Sequence, residues 1–239
     1  MKAERVALTP AYVLHQYAWR ETSRVVEVWS RDHGRVGLVA RGVRRPRSPF
    51  RSLLQPFTPL LMSWSQRGEL GNLTGLEASG PPTALQGRSL MAGFYLNELL
   101  MRLVPRQDAH PGLYKHYVAA MQGLATQPVV VALRIFEKHL LAAMGYGLIL
   151  THTANGDTPV EPDARYRYDM DSGPLPASDK PMPGLLISGR ALLALHNEAL
   201  DDADDLKAVK RLLRAALERH LDGRGLKTSG VMRAMSKGA

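Results

Sequence analysis

Residues 34 to 51 read GRVGLVARGVRRPRSPFR, an apolar run that changes abruptly into a cationic one. The first part, Arg35 to Arg41, is rich in β-branched and apolar residues and predicts a β-strand. The second part contains glycine and proline, which favour turns, and it holds five arginines and no acid: Arg41, Arg44, Arg45, Arg47 and Arg51. Because like charges this close repel one another, we expect a polyanion outside the fold to compensate them.

Four more strands are predicted around this segment. Ala11 to Trp19 and Arg24 to Ser30 precede it, and Phe57 to Ser65 and Glu69 to Ala78 follow it. Five short strands within about eighty residues are typical of a small barrel, such as the five-stranded OB-fold, and an SH3-like barrel fits the same spacing. We therefore expect an α+β protein with an N-terminal barrel domain at residues 1–80.

The pattern becomes helical after the glycine and prolines at 80–82, so residues 81–239 are predicted to form an all-helical domain. Its first three helices are expected at 83–104, 110–126 and 128–144. A turn-rich insert follows at 151–183, in which only Arg165 to Met170 is typical of a strand. Ser188 is predicted to cap a fourth helix, and Asp201 or Asp202 a fifth that ends near Leu221.

Composition narrows the classes of function. The chain has 239 residues, a formal net charge of +9 and no cysteine, which favours an anionic partner and excludes disulfides and thiolate metal sites. Its most apolar stretch, 129–150, is interrupted by four polar or charged side chains, so we expect no membrane helix and a cytoplasmic, nucleoid-associated protein. There is no Walker-type phosphate loop and no His-Glu-x-x-His motif, and the acids at 201–205 are interpreted as helix caps, so no enzyme is expected.

The cationic segment is the first candidate site. Arginine offers both a charge for phosphates and a flat face for bases, and Phe50 inside the run is predicted to stack on a base. Arg35, which leads into the segment, is included in the predicted DNA-binding set. The alternative is a solubilising surface loop, although such a loop more often mixes charges of both signs.

A second basic patch is predicted on the fifth helix. Lys207, Lys210, Arg211 and Arg214 are spaced at i, i+3, i+4 and i+7, which places them on one helix face as a second DNA-binding surface. The alternative is a solvated face that pairs with the nearby acids.

Arg134 and Lys138 are four residues apart on the apolar third helix. They are predicted to form a cationic rim around an apolar groove, which suits an acidic peptide with a hydrophobic end. The alternative is a structural ion pair in which Glu137 takes part.

Several segments in this order resemble the RecO family of bacterial DNA repair proteins over nearly the whole chain. They are ETS at 21–23, GRVGLVARGVRR at 34–45, LLQPFTPLLMSW at 53–64, GFYLNELLMRL at 93–103, ALRIFEKHLLAAMGYG at 132–147 and GLKTS at 225–229. The resemblance implies an N-terminal OB-fold, a helical C-terminal domain and a recombination mediator that is not an enzyme.

The resemblance also implies partners. Proteins of this family bind single- and double-stranded DNA, anneal complementary strands and bind the acidic C-terminal tail of single-stranded DNA-binding protein (SSB). They work with RecR to load RecA, and RecF is a further possible partner. An arginine on the third helix serves the SSB tail in the family, and Arg134 is the matching residue. Some members carry a four-cysteine zinc site in the insert; this chain has no cysteine, so neither zinc nor another cofactor is expected. The rival interpretation is a basic protein-interaction scaffold without a direct role on DNA.

Overall fold

The computed structural model describes residues 4–156, 158–178, 184–221, 225–228 and 230. Its contacts divide the chain into two compact units. Unit 1 comprises residues 1–126 and 226–239, and unit 2 comprises residues 127–225.

Unit 1 begins with five strands that close into a barrel in the order β1-β2-β3-β5-β4. The strands are β1 (Glu4–Trp19), β2 (Ser23–Ser30), β3 (Gly34–Ala40), β4 (Leu60–Gln66) and β5 (Leu70–Ala78). All pairs are antiparallel except β3 with β5, and β4 closes the barrel against β1. The five predicted strands are therefore confirmed, with β1 seven residues longer at its start than the pattern indicated.

The barrel is closed around an apolar core because alternate residues of each strand point inward. Val13, Val26, Leu38 and Met62 are fully buried there. The cationic segment after β3 contributes Val43 to the same core, and its Phe50 packs against that core. That segment is thus attached to the barrel at both of its ends.

Helices α1 (Gly87–Leu103) and α2 (Pro111–Thr126) belong to unit 1. The domain boundary expected at residue 80 therefore differs from the division into compact units. The physical reason is a buried polar contact: Asn97 of α1 donates from Nδ2 to the Leu14 carbonyl oxygen at 3.1 Å, and its Oδ1 accepts from the Tyr117 hydroxyl at 2.7 Å. Tyr117 also packs edge-on against Tyr12 of β1, with ring centroids 5.2 Å apart. The sequence does not reveal these contacts, because a single asparagine on an apolar helix face gives no indication of its partners.

Replacing Asn97 by leucine is expected to lower the free energy of unfolding by about 2–3 kcal/mol, because it removes hydrogen bonds made in a buried site. Equilibrium urea denaturation measures the change. Gln122→Ala on the exposed side of α2 is the control and should stay within about 0.5 kcal/mol of the wild type. Equal stabilities for the two variants would show that Asn97 does not hold the helices to the barrel.

The last described residues return to α1. The backbone amides of Lys227 and Thr228 donate to the Glu98 carboxylate at 2.9 and 3.0 Å, and the Thr228 hydroxyl donates to it at 2.6 Å. These bonds explain why this end of the chain belongs to unit 1.

Unit 2 combines three helices with a small sheet. The helices are α3 (Val129–Ala143), α4 (Gly189–Asn197) and α5 (Ala203–His220), and the strands are β6 (Arg165–Asp169), β7 (Gly173–Pro176) and β8 (Leu185–Ser188) in the order β7-β6-β8. The predicted helical part after residue 80 is confirmed by α1 to α5, and the strand predicted at 165–170 is confirmed as β6. The description of this part as all-helical is wrong, because three strands form a sheet there. Strands β7 and β8 have four residues each, and β7 contains two prolines, so neither shows an alternating pattern.

The predicted helix caps are confirmed. The Ser188 hydroxyl accepts from the Ala191 amide at 3.2 Å, and the Asp202 carboxylate accepts from the amides of Asp204 and Asp205 at 2.9 Å. Within the described ranges, none of the helices is both long and apolar enough to cross a bilayer.

Candidate nucleic-acid interface

The cationic segment, residues 40–51, is called the Arg loop below. It begins at Ala40, the last residue of β3, and residues 41–51 form a series of turns without helix or strand. Gly42 adopts φ +66° in the first turn, and the Arg45 amide donates to its carbonyl oxygen at 3.0 Å. The Ser48 amide then donates to the Arg45 carbonyl oxygen at 3.1 Å. These hydrogen bonds define the course of the loop backbone from which the arginines project.

Three contacts hold the Arg loop on the barrel. Val43 is buried, and the Arg44 amide donates to the Thr22 carbonyl oxygen in the β1–β2 hairpin at 2.9 Å. Phe50 is partly buried and packs against the barrel core. Phe50, which was predicted to stack on a base, thus also anchors the loop, because burial of part of its ring against the barrel core is favourable.

The five arginines of the Arg loop are exposed. Among the described residues, no carboxylate lies within 4.0 Å of any of their guanidinium groups. Arg44 makes one internal contact, from Nη1 to the Arg20 carbonyl oxygen at 3.3 Å. Their mutual repulsion is therefore left for an external anion to relieve.

Arg35 lies apart from this group. Its Nε donates to the Val104 carbonyl oxygen at 2.9 Å, and its Nη1 lies 3.4 Å from Oε2 of Glu27, a fully buried carboxylate. Arg106 donates to the other oxygen of Glu27. Burial lowers the pKa of Arg35, and the hydrogen bond to Glu27 raises the pKa of Arg106. Arg35 was predicted to bind DNA, but its guanidinium group is paired with groups inside unit 1.

A groove of about 400 Å³ lies beside the Arg loop. Residues 13–18 of β1 line it together with Arg24, Arg44 and Phe94. The Arg24 guanidinium is fixed at its edge by a 2.8 Å hydrogen bond from Nη1 to Oε1 of Gln16. The sequence interpretation missed Arg24 because it stands alone in a strand, outside any run of charge.

The basic patch on α5 is exposed as predicted, but acids of the same helix offset part of its charge. Lys207 lies 2.9 Å from Asp204, and Arg214 lies 2.7 Å from Glu218. Arg211 donates to the Leu186 carbonyl oxygen at 3.4 Å, and Lys210 is exposed. This patch therefore carries less uncompensated charge than the Arg loop.

Arg134 and Lys138 do not form the open cationic rim that was predicted. Arg134 is only 6% exposed, and its Nη2 lies 2.8 Å from Oε1 of Glu137, one helical turn away. Lys138 donates to the carbonyl oxygens of Leu195 and His196, at the end of α4, and lies 2.5 Å from Glu198. The last carbonyl oxygens of a helix lack backbone partners and often bind a lysine. The spacing of residues along α3 does not show that Lys138 lies next to such a helix end.

Glu198 joins two side chains of α3 in this cluster. Burial acts to raise its pKa, but hydrogen bonds from Lys138 and His139 outweigh burial and hold the pKa below its ordinary value. The Nε2 atom of His139 lies 2.7 Å from the same carboxylate oxygen.

Among the acids at 201–205, Asp205 forms an ion pair: it is buried and lies 2.8 Å from Nε of Arg190. In the part of the chain that the structure describes, no three His, Asp or Glu side chains gather as a metal site would require.

Comparisons with known proteins agree over nearly the whole chain. The family model described as "Recombination protein O N terminal" matches residues 2–82, and "Recombination protein O C terminal" matches residues 85–230. The DNA repair protein RecO of Nitrosococcus oceani is 46% identical over 98% of this chain and 95% of its own length. The proteins of the same name from Methylococcus capsulatus and Aromatoleum aromaticum are 44% and 43% identical, over 97% and 98% of this chain and 95% and 98% of their own lengths.

Proposed function

Because the chain belongs to the RecO family of recombination and DNA repair proteins, we propose that it is a recombination mediator that binds single- and double-stranded DNA and anneals complementary strands. It engages the C-terminal tail of SSB and, with RecR, promotes loading of RecA. The observation that carries the DNA-binding role is the Arg loop, whose five exposed arginines have no carboxylate partner among the described residues.

The barrel supports this role. Its strand order, with β3 parallel to β5, fits an OB-fold, an architecture whose strand faces and loops bind oligonucleotides in many proteins. The Arg loop follows β3 directly, so its cations stand at the edge of such a binding face.

Annealing needs no covalent chemistry. Two DNA strands repel each other through their phosphates, and cations that neutralise both backbones lower the barrier to pairing. The Arg loop on unit 1 is proposed to hold one backbone. The patch at Lys207, Lys210, Arg211 and Arg214 on unit 2 is proposed to bind another, more weakly because acids of α5 offset part of its charge.

The experiment that tests this function is annealing of complementary strands coated with SSB. We expect the protein to accelerate duplex formation, and to do so less as salt rises, because phosphate contacts weaken with salt. A scaffold that binds only acidic proteins would leave the annealing rate unchanged and would not bind a fluorescent oligonucleotide at low salt. Either result would contradict the proposal.

The SSB tail is proposed to bind at the α3 surface around Arg134 and Lys138. An acidic peptide would then compete with Glu137 and Glu198 for these cations, since both are paired within unit 2. Replacing Arg134 by alanine is expected to weaken binding of a tail peptide by about tenfold or more, because a hydrogen bond to a charged group contributes about 1.5–3 kcal/mol. Fluorescence anisotropy with a labelled peptide measures the affinity.

The control must separate the loss of a contact from the loss of the fold, because Arg134 is buried beside Glu137. Circular dichroism at the assay temperature shows whether the variant is folded, and binding of naked DNA should be unchanged. Arg165→Ala, which removes an exposed arginine of β6, is a matched control in the same unit and should bind the peptide as the wild type does. A folded Arg134→Ala protein with wild-type peptide affinity would remove this assignment.

A further inference from the structure

Three aromatic side chains follow one another on the second half of β1. His15, Tyr17 and Trp19 are alternate residues of the strand and therefore lie on the same face. The rings of His15 and Tyr17 pack edge to face, with their centroids 4.6 Å apart. Tyr17 and Trp19 are each 43% exposed, whereas the other two tryptophans, Trp29 and Trp64, are buried in unit 1. A tyrosine and a tryptophan kept half exposed two residues apart form a surface that is available for contact.

Cations border this row of rings. Arg24 is not among them, because it pairs with Ala18 and bonds to Gln16, which lie on the other face of the strand. The Arg44 guanidinium donates to the carbonyl oxygen of Arg20, the residue that follows Trp19. Arg106, with a side chain 36% exposed, is close enough to Tyr17 to interact with it electrostatically. The guanidinium groups of Arg44 and Arg106 thus lie near the two exposed rings.

The chemistry of this surface selects one kind of occupant. An apolar protein segment would have to desolvate the guanidinium groups without replacing their water by anions. A DNA duplex presents phosphates but hides the faces of its bases. Single-stranded DNA offers both phosphates and flat base faces, the two features that stacking side chains and arginines recognise together.

We propose that Tyr17 and Trp19 form a base-stacking surface for single-stranded DNA, while Arg44 and the rest of the Arg loop hold its phosphates. This inference rests on the DNA binding proposed above and specifies which part of the DNA the barrel reads. Stacking engages the face of a base and leaves its hydrogen-bonding edge open. A strand held in this way remains able to pair with its complement, as annealing requires.

Two oligonucleotides with equal numbers of phosphates test the proposal: a 20-residue oligothymidine and an abasic strand of the same length. The wild-type protein should bind the oligothymidine more tightly. The double variant Tyr17→Ala/Trp19→Ala should lose about tenfold or more in affinity for oligothymidine. Its affinity for the abasic strand and its dependence on salt should stay unchanged, because the phosphate contacts remain.

Tryptophan fluorescence gives an independent readout. Since Trp29 and Trp64 are buried, oligothymidine should quench the emission of Trp19, and Trp19→Phe should abolish the quenching while it keeps most of the affinity. Tyr146→Ala is the matched control, because Tyr146 is 50% exposed but lies in unit 2, and it should bind both oligonucleotides as the wild type does.

The possible failures are distinguishable. Binding of neither oligonucleotide by the wild type would overturn the proposed function itself. If the wild type binds both strands equally, or if the folded double variant weakens for both to the same extent, the stacking surface is refuted while phosphate binding stands.

Discussion

Alanine in place of Arg44, Arg45 and Arg47 will weaken binding of single-stranded DNA by about 100-fold at 0.1 M salt. Each arginine that neutralises a phosphate contributes about 0.7 to the slope of log affinity against log salt for a single strand, so three removed contacts change the slope by about 2. If the variant and the wild type bind equally near 1 M salt, a tenfold dilution of salt separates their affinities by about two orders of magnitude. Fluorescence anisotropy with a labelled oligonucleotide measures both affinities.

The matched control removes the same amount of charge elsewhere on unit 1. Arg5, Arg88 and Lys115 are exposed and lie outside the Arg loop, so their simultaneous replacement by alanine changes the net charge equally. It should reduce affinity only slightly, since long-range attraction is screened beyond about 10 Å at 0.1 M salt. Equal losses for the two triple variants would mean that net charge, and not the Arg loop, attracts DNA.

Replacing Glu27 by alanine is expected to destabilise the protein by about 3–5 kcal/mol, the range found when one partner of a buried ion pair is removed. Glu27 is fully buried and receives Arg35 and Arg106, one from β3 and one from the segment after α1. Without the carboxylate, two guanidinium groups of like charge remain together in a partly desolvated site. Urea denaturation followed by circular dichroism measures the free energy of unfolding.

Two further variants make this result specific. Glu77→Ala removes an exposed acid of β5 and should change the stability by less than about 0.5 kcal/mol. Arg35→Ala should lower stability yet leave the salt dependence of DNA binding unchanged, because Arg35 is turned toward Glu27. A stable Glu27→Ala protein would show that the network is not structural. A shallower salt slope in Arg35→Ala would return Arg35 to the DNA-binding set.

The sequence predicted the parts of the fold whose signals are local. Five strands and their order along the chain follow from apolar alternation and turn residues, and the caps at Ser188 and Asp202 follow from the chemistry of helix ends. Strands β7 and β8 were missed because each has only four residues, too few to show a period, and β7 also contains two prolines. Such strands form only because β6 offers them hydrogen-bonding edges.

For the candidate site, too, the sequence predicted the features that depend on neighbouring residues and not those that depend on distant ones. The exposure of the Arg loop was predicted correctly, because five arginines so close together cannot all be buried. The partners of Arg35 and Arg106 were not predictable, since Glu27 is 79 residues from Arg106 along the chain. Arg134 looked available in sequence because its i+3 neighbour Glu137 gives no sign that both are buried. An aromatic residue at every second position, as at Tyr17 and Trp19, could have indicated an exposed row of rings. The same alternation is typical of a half-buried strand, so it does not identify a binding surface.

The most direct test of the central claim, that the Arg loop binds DNA phosphates, is the slope of log affinity against log salt for single-stranded DNA. The wild type should give a slope of roughly −3.5 if each of five arginines neutralises one phosphate, and the variant without Arg44, Arg45 and Arg47 about −1.4. Equal slopes for the two proteins would contradict the claim.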